Sequence, residues 1–489
     1  MNGSPRIFFD RLYGNGNKTP SVSVFIFSNR SNAQGNATSP LLLSAIQYLE
    51  TLVSHILVCA VPNPGHVGPM LAAAQHLKSV GHNVTFHTSE NFRGKVESTG
   101  IRFVALTGKA NYDYRRPSDL PDYEKLSDTE QKIHLLKTSF VETIPDQHLG
   151  VQQILRETPT DLVLVDTMFL GSFPMLLGPK PKRPPVIGCG VNPMMLSSHD
   201  CGIIAPPANT PEGRQQILQD KQRISTNFQP INDSIDSIIR QYGVPCMPHF
   251  FVDCMYLLPD IFLQFTAEAL EFPRSDMPDT IRFAGPLLPS RSVEFKEPAW
   301  WAELDGSRPV VLITQGTLAN HDFNELIQPA LLGLRDENVT VIAATGRSDN
   351  NTLDVPKNAR VASFIPFDRV LPKADVLVTN GGYGAVNHAF SLGVPIVVAG
   401  ETEDKDMVAA RVGWTGAGIN LKTRFASAEQ IRNAVRAVLS NEQYRQEAQR
   451  LRASFARHSA LDELARTVSA MLTQDREMSK FNPESVYAH

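Results

Sequence analysis

Residues 371–405 read LPKADVLVTNGGYGAVNHAFSLGVPIVVAGETEDK. Asp375–Thr379 is a short apolar run rich in β-branched residues, which is typical of a parallel strand buried on both faces. Gly381, Gly382 and Gly384 follow at once, and glycines allow a sharp turn and a close approach of backbone N–H groups to an anion. The helix that they open has an N-terminus that favours negative charge. The stretch therefore predicts a doubly wound α/β sheet with a diphosphate site at its edge. Taken alone, the glycine corner is equally well a simple turn.

The same alternation of strands and helices extends from this stretch in both directions. In the second half, the predicted strands are Pro309–Thr314, Val339–Ala344, Arg360–Phe364, Asp375–Thr379 and Val394–Val398. In the first half, they are His55–Val61, Asn83–Thr88, Ile101–Leu106, Asp161–Asp166, Pro185–Gly190, Ile261–Thr266 and Thr280–Ala284. Residues 286–308 carry three prolines and break the pattern, which predicts a linker. We therefore predict domains at 53–285 and 309–475, a tail at 476–489, and a ligand cleft between the two domains.

Composition narrows the class of protein. The 489 residues are 42% hydrophobic with a formal net charge of −4, and basic and acidic residues are mixed along the chain, so no nucleic-acid footprint is present. The five cysteines are odd in number and lack CxxC pairs, which favours a reducing, cytoplasmic setting over a disulfide framework or a zinc site. No apolar run reaches the roughly 20 residues of a membrane span.

Residues 1–52 differ from the rest because they are rich in Asn, Ser and Gly. The pattern predicts a disordered N-terminal extension or an artefact of gene prediction, and it lacks the organisation of a secretory signal. A second interpretation is a weak membrane or partner contact through Leu41–Leu52.

The first domain offers one candidate for acid–base chemistry. His66 lies in PNPGHVGP, at the turn after the first strand, and an imidazole there can accept a proton from an attacking hydroxyl. Asp166 ends the strand DLVLVD at the same edge of the sheet, so it can orient the imidazole and stabilise its charged form. Asp161, at the other end of that strand, is better explained as a strand-start residue. A solvated loop histidine or a helix cap remains the alternative for His66.

Together these motifs resemble the UDP-glycosyltransferases of GT-B fold, in particular the microbial branch that glycosylates macrolides, phenolics, sterols and hydroxylated lipids. The resemblance covers roughly residues 54–475. It rests on PNPGHVGP, DLVLVD, VVLITQGT, AATGR, FIPFDRVL and VTNGGYG with GVPIVV and EDK. It implies two Rossmann-like domains facing across a cleft, with the acceptor bound by the first domain and the nucleotide sugar by the second.

The resemblance also implies a set of site residues. His66 matches the catalytic base and Asp166 its orienting carboxylate. The positions that match donor-binding residues are Gly316, Thr317, Thr345, Gly346, Phe364, Ile365, Asn380, Gly381, Gly382, Tyr383, Gly384, Ala385, His388, Asp404 and Lys405. The apolar positions expected near the acceptor are Met168, Phe169, Phe173, Met194 and Met195, for which core packing is the alternative explanation. The implied reaction inverts the anomeric carbon of a UDP-sugar, most simply UDP-glucose, which is a co-substrate, and requires no metal or other cofactor.

Four positions in these motifs depart from the usual residues of the family. Asn380 replaces a histidine that contacts phosphate, and His388 replaces a glutamate that binds the ribose. Phe367 stands where glutamine is frequent, and Lys405 replaces a glutamine that binds sugar hydroxyls. Lys405 would add a cation beside the donor or pair with a nearby glutamate.

Three other functions remain open at this stage. A nucleotide-sugar epimerase would share the two-domain plan but consume its UDP-sugar without an acceptor. An inactive auxiliary protein would keep the fold and lose donor binding, although the joint presence of His66 and Asp166 disfavours it. A nicotinamide dehydrogenase is disfavoured because PNPGHVGP occupies the place of its glycine fingerprint.

Overall fold

The computed structural model describes residues 53–114, 125–288, 295–316, 320–347 and 353–481. The predicted extension at residues 1–52, including the possible contact segment Leu41–Leu52, lies outside the described residues. Thr317 also lies outside them. Within the described ranges, no helix is both long and apolar enough to cross a membrane.

The first sheet has seven parallel strands within the described residues, in the order β3-β2-β1-β4-β5-β6-β7. The strands are β1 His55–Cys59, β2 Asn83–Thr88, β3 Arg102–Ala105, β4 Leu162–Asp166, β5 Val186–Gly190, β6 Ile261–Gln264 and β7 Ile281–Phe283. Its helices are α1 Pro64–Ser79, α2 Arg93–Glu97, α3 Asp128–Leu136, α4 Ile144–Glu157, α5 Phe173–Leu177, α6 Pro211–Ile239 and α7 Phe251–Leu257. Helices cover both faces, which explains the nearly continuous apolar runs of strands such as β1 and β4.

The second sheet has six parallel strands in the described ranges, in the order β10-β9-β8-β11-β12-β13. The strands are β8 Val310–Thr314, β9 Thr340–Ala344, β10 Ala359–Ala362, β11 Val376–Thr379, β12 Ile396–Val398 and β13 Gly418–Asn420. The helices that follow β8 are α8 Ile327–Gly333, α9 Phe367–Val370, α10 Tyr383–Ser391, α11 Lys405–Thr415, α12 Ala428–Ser440, α13 Glu442–Phe455 and α14 Ala460–Phe481.

Every strand predicted from sequence is present, with ends shifted by no more than two residues. The edge strand β13 was not predicted, because three residues with glycine at the start carry no alternation that distinguishes a strand from a loop.

The last helix departs from the predicted domain boundaries. Helix α14 leaves the second domain and packs Leu464, Val468 and Leu472 into the core beside α1 of the first domain. It also continues through the predicted boundary at 475 to Phe481. The apolar face of α14 predicts a buried helix. The domain against which the helix packs depends on tertiary contacts.

Candidate active site

Each sheet reverses its strand order at one point, and both reversals carry candidate site residues. In the first sheet the reversal lies between β1 and β4, and in the second between β8 and β11. Ligands of open parallel sheets bind beyond the carboxyl ends of the strands at such reversals. His66 follows β1 and Asp166 is the last residue of β4, while Gly316 and Asn380 follow β8 and β11. The topology therefore gives each domain one place where a ligand can meet several loops.

His66 and Asp166 form a buried pair at the first reversal. The Nδ1 of His66 lies 3.0 Å from Oδ1 of Asp166, and the Asp166 side chain is inaccessible to solvent. Backbone N–H groups hold the carboxylate in place, since Val61 N donates to Oδ2 at 2.6 Å and Met168 N donates to Oδ1 at 2.8 Å. A carboxylate at Nδ1 fixes the tautomer and leaves Nε2 to accept a proton. Asp161 instead accepts from His55 N at 2.7 Å, as expected of a strand-start residue.

Electrostatics shift the protonation of His66 towards the charged form. Burial opposes protonation, but Asp166 outweighs it through its charge and hydrogen bond, and Asp404 adds to it from the second domain, so the pKa of His66 is raised. Burial also raises the pKa of the Asp404 carboxyl, with His66 acting in the opposite direction. The two domains therefore share one electrostatic site.

The glycine corner of the second domain has the geometry that an anion site requires. Gly381 has φ +96°, which favours glycine, and Gly382 is the N-cap of helix α10. No side chain caps that end of α10, so its first N–H groups are available to a ligand. A Cβ on Gly400 would lie 2.0 Å from the carbonyl oxygen of Asn380, so only glycine allows these two loops to approach so closely. The corner is built to present backbone rather than side chains.

Polar side chains brace the loops around this corner. Asn320 Nδ2 donates to Gly316 O and to Thr345 O, each at 3.1 Å, which joins the loops after β8 and β9. Asn380 Nδ2 donates to Gln315 O at 2.6 Å, while its buried Oδ1 has no partner among the described residues. The side-chain amide of Asn380 thus donates one N–H to the protein backbone and has a second N–H for a ligand.

A cleft of about 1210 Å³ contains most of the predicted donor residues. The predicted residues that line it are Gly316, Gly346, Phe364, Ile365, Asn380, Gly382, Tyr383, Gly384, Ala385, His388, Asp404 and Lys405. Gly381 and Thr345 do not line the cleft but shape the turns behind it; the Thr345 hydroxyl, for example, donates to Arg347 O at 2.9 Å.

Phe364 and His388 are exposed to different degrees within this cleft. Phe364 is 74% exposed, which is unusual for an aromatic side chain and suits a ring that stacks on a ligand. His388 is buried, and burial lowers its pKa despite the opposing charge of Asp368, so its imidazole is neutral. A neutral imidazole offers one donor and one acceptor, where a glutamate would offer two acceptor oxygens.

Lys405 places a cation in the cleft, at the first residue of α11. Its side chain is buried and forms an ion pair with Glu403, which adopts a positive φ of 51°. Burial lowers the pKa of Lys405 to about 8, although Glu325 opposes this shift. The ammonium group is therefore charged at neutral pH and close to its titration range.

The acceptor side of the cleft differs from the sequence prediction. Met168 and Met195 line the cleft, whereas Phe169, Phe173 and Met194 are buried in the first-domain core and do not line it. Core packing, the alternative given for these positions, accounts for all three, because apolar side chains near a site pack inwards as readily as towards a ligand. Other apolar residues that line the first-domain side include Leu135, Leu136, Phe140, Ile224, Phe228, Phe251, Val252 and Met255.

Ion pairs between the two domains were also not predicted from sequence. Lys132 Nζ of α3 lies 2.6 Å from Asp406 Oδ2 at the start of α11, and both residues line the cleft. Arg411 Nε lies 2.6 Å from Glu271 Oε2, with both side chains fully buried. A charged residue between Val408 and Val412 on the apolar face of a helix was the available signal for Arg411.

Comparison with known proteins identifies the family. The glycosyltransferase family 28 N-terminal domain matches residues 56–149, and the C-terminal domain of the erythromycin biosynthesis protein CIII-like family matches residues 330–471. UDP-glycosyltransferase 2 of Phaeomoniella chlamydospora is 34% identical over 438 residues, covering 86% of this chain and 96% of the relative. UDP-glucosyltransferase B1 of Starmerella bombicola is 33% identical over 432 residues, covering 85% of this chain and 98% of the relative.

A solved structure shows the same fold. The calicheamicin glycosyltransferase CalG4 superposes with a TM-score of 0.67 at 21% identity, covering 86% of this chain and 98% of that one. With full-length relatives at 33% identity or more and two parallel sheets facing one cleft, this chain belongs to the UDP-glycosyltransferase family of GT-B fold.

Proposed function

We propose that this enzyme transfers a sugar, glucose in the first instance, from a UDP-sugar to a hydroxyl group of a hydrophobic small molecule, with inversion at the anomeric carbon. The observation that carries the proposal is the single cleft that His66 enters from one domain and the glycine corner of α10 from the other. The name of the Starmerella relative supports glucose as the donor sugar.

In the proposed mechanism, His66 accepts the proton of the acceptor hydroxyl as that oxygen bonds to the anomeric carbon. Asp166 holds the Nδ1 side of the ring and stabilises the imidazolium that forms. The bond between the anomeric carbon and the diphosphate oxygen breaks in the same step, and UDP leaves with the electron pair.

The leaving diphosphate develops charge where the second domain presents donors. The uncapped N-terminus of α10 and the second amide N–H of Asn380 would bind it, which the absence of a side-chain cap and the single Asn380 hydrogen bond support. Phe364 would stack on the uracil, and His388 would bind the ribose. Backbone dipoles and hydrogen bonds can stabilise the leaving group, so we propose a transfer that requires no metal.

The acceptor class follows from the wall of the cleft. Leucine, methionine and phenylalanine side chains from α3, α6 and α7 form an apolar surface beside His66. Methionine and phenylalanine adapt to ligands of different shapes, which supports phenolic, polyketide, sterol or hydroxy-lipid acceptors. We also propose a cytoplasmic location, which the five free cysteines of the described chain support.

A panel of UDP-sugars and acceptors tests the proposal directly. The purified full-length protein is incubated with each UDP-sugar and with phenolic, polyketide, sterol and hydroxy-lipid acceptors, and glycosides are detected by mass spectrometry. Glycoside formation that requires His66 supports the proposal. Consumption of the UDP-sugar without acceptor, with formation of an isomeric UDP-sugar, would identify an epimerase instead. The absence of products and of UDP binding would favour an auxiliary protein.

A further inference from the structure

A buried polar cluster joins the two domains beside the cleft. We call Glu271, Arg411 and Tyr383 the interdomain clamp. Glu271 follows β6 of the first domain, Arg411 lies in α11 and Tyr383 is the first residue of α10. The side chains of Glu271 and Arg411 are fully inaccessible, and their ion pair measures 2.6 Å.

Both oxygens of the Glu271 carboxylate are satisfied. Arg411 Nε donates to Oε2, while Tyr383 OH at 3.0 Å and Met194 N at 3.1 Å donate to Oε1. A buried charge is tolerated only when its hydrogen-bonding groups find partners, and the loss of one partner is costly. The carboxylate is therefore shared between a donor-side residue and an acceptor-side backbone.

The guanidinium of Arg411 is equally well satisfied and makes a second connection to the same acceptor-side loop. Its Nη2 donates to Met194 O at 2.6 Å, and its Nη1 donates to Met407 O at 3.0 Å and Ile203 O at 3.3 Å. The guanidinium also lies over the ring of Phe272, 4.7 Å from the centroid. Both polar groups of the Met194 backbone are thus bound by the clamp.

The segments that the clamp joins are those that contact the two substrates. Met194 precedes Met195, which lines the acceptor side of the cleft. Tyr383 begins the donor helix α10, and Arg411 belongs to α11, which starts at Lys405. One turn after Tyr383, Asn387 Oδ1 accepts a buried hydrogen bond from Thr266 of the first domain at 2.6 Å. The donor helix is therefore attached to the first domain along successive turns.

We propose that Glu271, Arg411 and Tyr383 are positioning residues that hold the acceptor wall in register with the donor helix during transfer. The inference rests on the proposed function. The three side chains act by fixing where the acceptor hydroxyl stands relative to the anomeric carbon, and a displacement of about 1 Å between reacting groups lowers a rate by about 100-fold. The clamp therefore affects the transfer step more than the binding of UDP.

The sharpest test is Tyr383→Phe, which removes one hydroxyl and keeps the ring and the backbone of the donor helix. We expect the kcat of transfer to fall by about 10-fold, the loss typical of one hydrogen bond to a charged group. Glu271→Gln is expected to lower the kcat of transfer further. Because Glu271 does not line the cleft, the Kd of this variant for UDP and its rate of UDP-sugar hydrolysis by water should change less than about twofold.

A matched control removes an ion pair remote from the cleft. Asp260→Asn breaks the pair with Arg183 in the first domain, where Nη1 lies 2.6 Å from Oδ2 and the side chains are 4% and 18% exposed. Its ratio of transfer to hydrolysis is expected to match that of the wild type, even if its stability falls.

Hydrogen exchange gives a readout that does not depend on activity. Tyr383→Phe is expected to increase amide exchange in residues 191–197 and 383–391 together, whereas Asp260→Asn leaves both segments protected. Exchange that rises in only one of the two segments would overturn the coupling. Unchanged kcat, or equal losses of transfer and hydrolysis, would overturn the positioning role. If Tyr383→Phe shows the coupled exchange but the wild type forms no glycoside, the proposed function is refuted and the clamp is a structural connection only.

Discussion

His66 and Asp404 line one cleft from different domains, and the charge of Asp404 adds to the larger effect of Asp166 in raising the pKa of His66. The pKa of the proposed base in the first domain thus depends partly on the loop that follows β12 of the second. A base with a raised pKa accepts a proton more strongly, but it must be unprotonated at the working pH to act. The cleft therefore sets both the position and the protonation of His66.

Replacement of the base is expected to separate chemistry from binding. His66→Ala should lower the kcat of transfer by about 100-fold or more, the usual contribution of a general base, while calorimetry gives a Kd for UDP close to that of the wild type. His199→Ala is the matched control, since its side chain is 91% exposed and lies outside the cleft. Substantial transfer by His66→Ala would remove the residue from the base role.

The pH profile of kcat/KM should report the carboxylates around His66. In the wild type the rate falls on the acid side, with a midpoint above the usual value for histidine of about 6.5, because His66 must lose its proton to act. Asp166→Asn removes the negative charge that contributes most to raising the pKa of His66, so the midpoint should move to lower pH. The maximum rate should also drop. Asp404→Asn should move the midpoint in the same direction by less. A midpoint that moves upwards in either variant would contradict this assignment.

Donor binding should weaken in alkaline solution through Lys405. Its pKa is lowered to about 8, so the ammonium loses its charge as the pH rises through that value. If the cation helps to hold the anionic donor, the Kd for UDP-sugar should rise about threefold between pH 7 and pH 9, a typical effect of one partly screened charge. Lys405→Gln should bind more weakly at pH 7 and show no such rise. An identical pH dependence in both proteins would place the titrating group elsewhere.

The exposed ring of Phe364 is expected to contribute to nucleotide affinity. Phe364→Ala should weaken UDP binding by roughly 10-fold, since stacking of a base on an aromatic ring contributes about 1–3 kcal/mol. Phe364→Trp should bind UDP at least as tightly as the wild type. Phe425→Ala serves as the control, because Phe425 is 60% exposed and outside the cleft. Equal Kd values for Phe364→Ala and the wild type would exclude stacking.

The strands and the glycine corner could be predicted from sequence because their signals are local. Strands such as Val376–Thr379 are continuous apolar runs, and the glycines at 381 and 382 mark a turn that needs a bare backbone. His66 and Asp166 could be paired because parallel strands bring their carboxyl ends to one edge. In each case, the position of a residue relative to its own strand or turn was sufficient.

The acceptor wall and the interdomain contacts could not be predicted in the same way. Leu135, Phe228 and Met255 meet in space from three separate helices, and Lys132 meets Asp406 across 274 positions of sequence. No local periodicity encodes such meetings. The same limit applies to Phe173 and Met194. The sequence around an apolar residue beside a site does not show whether its side chain points into the core or into the cleft.

The path of α14 has a consequence for the exchange of acceptor specificity between relatives. A cut in residues 286–308 would separate the two sheets, but the first domain would lose the helix whose Leu464, Val468 and Leu472 complete its core. The residues that form the first domain are therefore not contiguous in the sequence. A chimera built from the first domain alone should expose an apolar groove and aggregate, whereas one that also carries the matching last helix keeps that surface covered.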